Sequence, residues 1–476
     1  MDEQAKTLTN FLELTYAQLE ELNTKARALT DPAQAEKQHV AYLTSETHIK
    51  AVTVCFSDIE GRLHMLDYDK KFFLDSLDNL TFDGSSIAGF SKQSESDLRL
   101  KVDWTSFTFV PADVFGAGKV IVFGNVCNRD MTPYESDFRG QLQAYAEQIK
   151  AKDNLVAYMA PEIEGFLLKG IDAEQSFDSR TGFQLVSTGG YFHSLPLDEL
   201  RLFIDKTAEV QRAMGFKNEK DHPEVAPSQF EINFSYANVL RACDQVQLYK
   251  LVCRQVAMSM GLTATFLPKP VQGINGSGMH VNFSLAKAGK NLFYDKNGED
   301  RLSKLGWEFV DKILNRAPDI CLLLNSSVNA YRRLDPHFEA PNQIKVSAND
   351  RGSMIRIPFG NEHSARIEIR SVGPDANPYL ALLALLKTGL EDVAPAADSD
   401  KRTRLRFLPS SIHDAIRIFK ASEYATQLLG EEAKEKYLEK KQAVAHRNAR
   451  ELGHRVKDAE ILYHHEVTNQ YLWNRF

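Results

Sequence analysis

The sequence has little of what would make a disulfide-stapled, membrane-spanning or nucleic-acid-binding protein. Its 476 residues hold five cysteines, Cys55, Cys127, Cys243, Cys253 and Cys321, an odd count with no C-x-x-C pair. That argues against a disulfide framework and fits a reducing, cytoplasmic compartment, with Cys55 and Cys321 as buried thiols in apolar runs. The most apolar stretch, Tyr379 to Leu386, stops at Lys387, short of the ~20 residues a membrane helix needs. The polar opening MDEQAKTLTNFLEL does not read as a signal peptide, so no membrane partner is expected. A formal net charge of -7 speaks against a nucleic-acid partner bound through a basic surface, though not against a local basic pocket. Walker and dinucleotide motifs are also missing. DVFGAGK lacks the first glycine and GINGSGMH does not match G-x-G-x-x-G, so any nucleotide site is of another kind.

What is present is an ordinary globular composition, 43% hydrophobic and 25% charged, in a chain too long for one core. Residues 1–37 read as a helical extension, with Leu8, Phe11, Leu12, Tyr16 and Leu19 at helical spacing, suited to packing or to an oligomer contact. Residues 38–132 read as a small α+β domain, with strands in KAVTVCFSD, GRLHMLDYD and KVIVFGNV. The loop FDGSSIAGF lies between them, rich in small residues that let backbone approach a ligand. A helix starting at residue 133 or soon after opens a large domain, 133–476, whose last eighty residues are mostly helical and charged and end in YLWNRF.

Four strands in that large domain carry acid or polar groups on one face only. YMAPEIEGFLL puts Glu162 and Glu164 on one side and Ile163 on the other. FEINF separates Glu231 and Asn233 from Phe230, Ile232 and Phe234, and GMHVNFSL separates His280, Asn282 and Ser284 from Val281, Phe283 and Leu285. RIEIR sets Arg366, Glu368 and Arg370 against Ile367 and Ile369, while Glu224 precedes one of these strands in DHPEVAPSQFE. A single such strand is usually a solvated sheet face. Four of them, nearly free of lysine, read as the wall of a polar cavity. Neighbouring carboxylates repel unless a cation lies between them. Five Glu and one His suit Mg²⁺ or Mn²⁺ better than Zn²⁺, with enough ligands for two sites. The arginines Arg332, Arg333, Arg351, Arg356 and Arg370 add bidentate partners for carboxylate and phosphate. Arginine beside divalent metal and carboxylates is the apparatus of phosphoryl transfer.

At these residues the sequence resembles the glutamine synthetases, specifically the bacterial type I group. The matching strings are FDGSSIAGF followed by ESD, PEIEGF, GGYF, HPEVAPSQFEI, ATFLPKPVQGINGSGMH, YRRLDPHFEAP, IRIP and RIEIRSVGPDANPYLAL, in the family's order, over roughly residues 50 to 390. The resemblance implies an α+β fold: a small N-terminal β-grasp-like domain and a large C-terminal catalytic domain whose antiparallel sheet forms a funnel-shaped active site. It implies ATP-dependent ligation of ammonia to glutamate through a γ-glutamyl phosphate. Glu164, Glu224 and Glu231 would hold a metal beside the substrate, and Glu162, His280 and Glu368 one on the phosphates of ATP. Arg333 and Arg370, with Asn275 and Gly276, would bind glutamate. Arg351 and Arg356 would neutralise the transferred phosphoryl group, with Asn282 and Ser284 on the nucleotide side. Asp83 would bind and deprotonate ammonium, Ser86 and Tyr191 would line that pocket, and Glu339 would sit on a flap that excludes water. Active sites between subunits of a dodecamer, two stacked hexameric rings, follow from the same resemblance, with YLWNRF as a strap.

Several positions depart from the family pattern. Pro223 stands for the second His of an HHE motif, Ser228 for a Gly and Gly165 for an aromatic that would leave room for a bulkier substrate. His337 and Phe338 alter the flap, Val346 replaces an aromatic, and Asp350 replaces an Asn beside Arg351, which calls for a nearby lysine or metal. Residues 391–411 contain no tyrosine for adenylylation, and Lys92 stands where feedback-sensitive relatives carry Arg. Two other readings remain open: a γ-glutamyl ligase for a polyamine or other amine, and a non-catalytic protein on this scaffold. His222 and His193 read as loop caps or solvent-facing groups, and the charged run Lys434 to Lys441 as a solvated helix face.

Overall fold

The computed structural model describes residues 10–87, 89–175, 177, 181–194, 196–391 and 406–451. Leu8, most of the 391–411 segment, His464, His465 and the YLWNRF terminus lie outside them. The chain divides into two compact units, Met1–Phe56 with Leu63–Tyr134 and Asp205–Asn218, and Ser57–Arg62 with Glu135–Ile204 and Glu219–Phe476.

The first unit is built on a five-stranded mixed sheet of β1 (Ala51–Ser57), β2 (Leu63–Asp69), β3 (Thr81–Asp83), β4 (Asp97–Phe109) and β5 (Lys119–Cys127), in the order β2-β1-β5-β4-β3. β1 and β5 run parallel, with Val52 opposite Val120, while β4 runs antiparallel to β5 and to β3. The segment read as a helical extension suited to packing contributes to this unit's core. Leu19, Ala26, Ala35 and Leu43 share one apolar cluster with Val52, Val54, Leu100 and Val122. It also forms two helices rather than one. Thr15 and Gln18 make a capping box for Tyr16–Ala28, and Asp31 with Pro32 starts Pro32–Ser45. Leu12, expected on the apolar stripe, is exposed, because it falls in a separate single turn at Phe11–Glu13. Trp104 packs edge-on against Phe73 in the same core.

The second unit holds a ten-stranded sheet: β6 (Leu155–Lys169), β7 (Asn218–Pro223), β8 (Gln229–Phe234), β9 (Ala237–Asn238), β10 (Leu262–Thr265), β11 (Met279–Lys287), β12 (Lys290–Asn291), β13 (Gln343–Ser347), β14 (Ser353–Arg356) and β15 (Ile367–Ile369). Its main path is β13-β14-β15-β11-β6-β8-β7. The four acid-bearing strands are thus consecutive and antiparallel, β15-β11-β6-β8. Their register sets Asn282 opposite Glu368, His280 opposite Glu162, and Glu164 opposite Glu231. Period-two alternation then sends Ile163, Val281, Phe283, Phe230, Ile232, Ile367 and Ile369 into a fully buried opposite face. Helices Phe138–Asp153 and Val239–Ser259 cover β6. The apolar run at Tyr379 is a buried helix, Pro378–Leu390, started by an Asn377 cap and Pro378.

Two expectations change here. Gly165 opens no space toward a substrate: it sits opposite Phe230 on the apolar face, and a Cβ there would lie 2.6 Å from the Phe230 ring. The run Lys434 to Lys441 is not simply a solvated face. Lys434 is buried and donates to the Ser422 carbonyl at 2.9 Å and the Lys420 carbonyl at 3.2 Å, closing the end of helix Ile412–Ala421. Lys441, 2% exposed, pairs with Glu60 at 2.9 Å. Among the described residues no helix is long and apolar enough to cross a membrane, and all five cysteines are buried thiols outside any disulfide.

His39 in helix Pro32–Ser45 stacks on Phe107 with ring centroids 4.2 Å apart, and its Nε2 is buried without a hydrogen-bond partner. Burial lowers its pKa from 6.5 to about 4. The unfolded chain therefore takes up the proton first, and stability falls as pH drops from 6.5 toward about 4. His39→Phe should remove that part of the acid sensitivity. Thermal melts across this window should show a smaller loss of Tm in the variant than in the parent, and identical losses would contradict the assignment.

Candidate active site

The polar faces of the four strands converge on one pocket whose lining comes entirely from the second unit. At its floor are two groups of donors, each within 4.8 Å of one another: Glu162, His280 and Glu368, and His222, Glu224 and Glu231. In the first, His280 Nδ1 lies 3.6 Å from Glu162 and 3.8 Å from Glu368. Burial opposes ionisation of Glu162, but His280, the Asn282 amide and Lys220 together bring it down to about 2. Glu368 is 1% exposed and gripped from both sides, by Arg356 at 2.5 Å and by Arg370 at 2.5 Å. Two guanidiniums give a carboxylate buried this deeply a charge-assisted partner on each side.

The second group is short of positive charge. Burial, then the charges of Glu164 and Glu231, push Glu224 up to about 10. Burial also raises Glu164, with His280 opposing and Glu231 reinforcing. Glu164 accepts from the Gly278 amide at 2.8 Å and from Gln229 at 3.3 Å. Carboxylates crowded this closely repel one another, and a divalent cation among them is one arrangement that such donors could hold. His222 belongs to this wall rather than to a solvent-facing loop. It is buried, with Nδ1 3.1 Å from the Pro223 carbonyl and 3.7 Å from Glu224, and the Tyr191 and Phe192 rings meet it edge-on. Its spacing of two from Glu224 is the signal that the sequence offers for it. Lys220, also on the pocket wall, has none.

Above the floor, Arg333 is 2% exposed and donates to the Arg370 carbonyl at 2.7 Å, and burial lowers its pKa to about 10. Asn275 and Gly276 lie beside it. Gly276 is required by close approach, because a Cβ would stand 2.3 Å from the Pro268 carbonyl oxygen. Glu339, Arg351 and Tyr191 form the exposed rim, with Asn275 donating to Glu339 at 3.1 Å and Arg351 3.9 Å from it. Asp350 has the lysine its charge called for: Lys345 lies 2.6 Å away. Asn282 sits behind the rim, donating to Glu162 at 2.9 Å and accepting from Arg366 at 2.8 Å. Ser284, two residues further along β11, is not part of the lining.

Asp83 and Ser86 belong to the first unit, on the exposed turn Gly84–Ser86. Asp83 accepts from the Ser86 hydroxyl at 2.6 Å and from the Ser85 hydroxyl and amide at 2.7 and 2.9 Å. Those bonds, Ser86 first, hold its carboxyl below the usual range and so favour the charged form.

Comparison with known proteins gives a consistent result. Residues 48–129 match the family model described as the glutamine synthetase beta-Grasp domain, and residues 135–462 match the glutamine synthetase catalytic domain. Glutamine synthetase of Thermotoga maritima is 36% identical over 417 residues, covering 83% of this chain and 93% of the relative. That of Thermus thermophilus is 34% identical over 420 residues, covering 83% and 92%. The cryo-EM structure of Plasmodium falciparum glutamine synthetase superposes with a TM-score of 0.77 at 20% identity, over 89% of this chain and 98% of that one. A GmaS complex with ADP gives 0.74 at 24% identity, over 91% and 100%.

Removing Glu368 would leave Arg356 and Arg370 facing each other without a counter-charge. Glu368→Ala should therefore cost about 3 kcal/mol or more in denaturant melts, the usual penalty for breaking a buried ion pair from one side. A loss no larger than that of an exposed pair would mean the cluster is not what holds β14 to β15.

Proposed function

The chain belongs to the glutamine synthetase family, and on that premise we propose that it ligates ammonia to the side-chain carboxylate of L-glutamate with cleavage of ATP, as a member of the bacterial type I group. The observation that carries this reading is the pairing of two carboxylate-rich donor groups at the pocket floor with Arg333, Arg351, Arg356 and Arg370 around them. The donor sets suit Mg²⁺ or Mn²⁺: Glu162, His280 and Glu368 would hold one ion, and Glu224 and Glu231, with Glu164 opposite Glu231 in the register and His222 grouped beside them, would hold another, supplying charge neutralisation at the phosphates of ATP.

The residues then divide the work. Arg333 and Arg370, with Asn275 and Gly276, bind glutamate and fix its γ-carboxylate. That carboxylate oxygen attacks the γ-phosphorus of ATP, ADP departs with the bond pair, and a γ-glutamyl phosphate forms. Arg351 and Arg356 balance the charge of the moving phosphoryl group. Asn282, bonded to Glu162, orients the nucleotide-side carboxylates, and Ser284 borders that side. The acyl phosphate hydrolyses readily, so Glu339 on the flap segment excludes water while ammonia arrives. Asp83 draws in ammonium, with Ser86 and Tyr191, and takes one proton. Ammonia attacks the carbonyl carbon, and phosphate leaves with the C–O bond pair and the proton that the nitrogen sheds, as hydrogen phosphate. Because Asp83 lies on a different unit from the pocket, we propose that it serves the site of a neighbouring subunit in a cytoplasmic dodecamer of two hexameric rings.

The test is phosphate release from ATP with Mg²⁺ and glutamate, comparing ammonium with a panel of amines. Glutamine formation that depends on ammonium and falls about 100-fold or more in Asp83→Ala is the expected outcome, a loss typical of a missing general base. Amide formation only with a larger amine would assign the chain to the γ-glutamyl ligases instead. Absence of any amide product, with nucleotide bound, would overturn the reading.

A further inference from the structure

The segment Asp335–Glu339 is held in an arrangement its own backbone does not favour. Glu339 has φ of 59°, the left-handed region that costs a non-glycine residue strain. Its neighbours therefore must hold it. Asp335 caps the turn by accepting from the His337 amide at 3.0 Å, and Arg370 donates to the Glu339 carbonyl at 3.3 Å. A further contact comes from a residue outside the pocket lining. Lys269 Nζ sits 3.8 Å from the centroid of the Phe338 ring, well inside cation–π range.

Lys269 is unusually well fixed for a lysine. It is 7% exposed. Its amide donates to Asn329 Oδ1 at 2.7 Å and its carbonyl accepts from Asn329 Nδ2 at 2.9 Å, on the helix Val328–Arg333 that also carries Arg333. Its Nζ also donates to the Ile274 carbonyl, one residue before Asn275. Burial lowers its pKa to about 8, with Asp335 opposing, which leaves it protonated at neutral pH. One ammonium thus ties the glycine-rich loop to the flap segment, on either side of the Asn275–Glu339 hydrogen bond.

We infer that Lys269 is a positioning residue whose ammonium, shared between the Ile274 carbonyl and the Phe338 ring, latches the segment carrying Glu339 over the pocket. This rests on the proposed ligase reading for its functional consequence, not for its geometry. A latch of this kind acts on the fate of the acyl phosphate rather than on its formation. With the ammonium removed, the segment opens more often, water reaches the intermediate, and phosphate is released without amide.

The experiment uses the full chain in five forms: wild type, Lys269→Met, Lys269→Arg, Phe338→Leu and the Lys269→Met/Phe338→Leu double variant. Phosphate and amide are measured together, with whichever amine the wild type accepts. Wild type should release one phosphate per amide, Lys269→Met and Phe338→Leu several per amide, and the double variant no more than either single. Lys269→Arg, which keeps a cation over the ring, should restore coupling. A lower kcat with an unchanged ratio, or additive effects in the double variant, would reduce Lys269 to a packing role and overturn the inference. Hydrogen exchange over Asp335–Ala340 gives a readout that does not need turnover. Lys269→Met should speed it about fivefold, the factor for the loss of a cation–π contact of ordinary strength. Unchanged exchange overturns the latch, whereas absent amide synthesis by wild type with faster exchange in the variant would sink the ligase reading alone.

Discussion

Carboxylates cannot be buried side by side without positive charge, and most of the large unit is arranged around that constraint. Glu162, Glu164, Glu224, Glu231 and Glu368 reach one pocket from strands β6, β8 and β15 and from the turn before β8. On one side two guanidiniums, Arg356 and Arg370, clasp Glu368, and His280 lies near both Glu368 and Glu162. On the other side His222 lies 3.7 Å from Glu224, and burial and the neighbouring carboxylates drive Glu224 far up. The asymmetry is informative. A protein that only needed a stable core would have placed apolar residues there, since a buried ion pair rarely outperforms them. An incompletely neutralised pocket is what the proposed metal and nucleotide chemistry would require.

The antiparallel sheet makes this arrangement possible at low cost elsewhere. Because alternation is strict, every inward carboxylate has an outward isoleucine, valine or phenylalanine beside it, and those side chains build the core that anchors the strands. Rigid strands fix the pairs His280–Glu162 and Glu164–Glu231 by register alone. Loops carry the rim and present Glu224 at the floor, and there the backbone carries strain. Both Glu339 and Phe192 take left-handed conformations.

Period-two patterning makes the floor of the site legible in the sequence, because alternation needs only local spacing to be read. Glu162, Glu164, Glu231, His280, Glu368 and Arg370 all follow from that spacing. Strand order and register, which bring them together, depend on long-range pairing, and only the family resemblance supplies them at the level of sequence. What local spacing hides has a common cause. His222 looks like an isolated loop histidine, although Glu224, two residues on, is already a candidate ligand. Lys434 and Lys441 look like surface charge because helical spacing does not say which helix end or carboxylate lies nearby to accept their hydrogen bonds. Gly165 looks like missing bulk in a pocket, although alternation places it on the apolar face, where the Phe230 ring fills the space.

The departures from the family pattern are compensated locally, which is how a chain can drift without losing its site. Asp350 brings a charge next to Arg351, and Lys345 answers it, while its other oxygen accepts from the Gly352 amide at 2.8 Å to shape the turn. Ser228 sits at φ of 62° where the pattern has glycine, a cost of ~1 kcal/mol for a side-chain-bearing residue. Its hydroxyl accepts from the amides of Val186 and Ser187, both at 2.8 Å, and donates to the Ser187 carbonyl at 3.1 Å. Each such bond in a buried setting is worth ~1 kcal/mol net, so the serine returns more than the strain removes. It also ties Val186 and Ser187, a few residues before Tyr191 and Phe192, to the turn that presents Glu224. A substitution that would look disruptive in sequence thus strengthens the connection between the aromatic rim and the carboxylate floor.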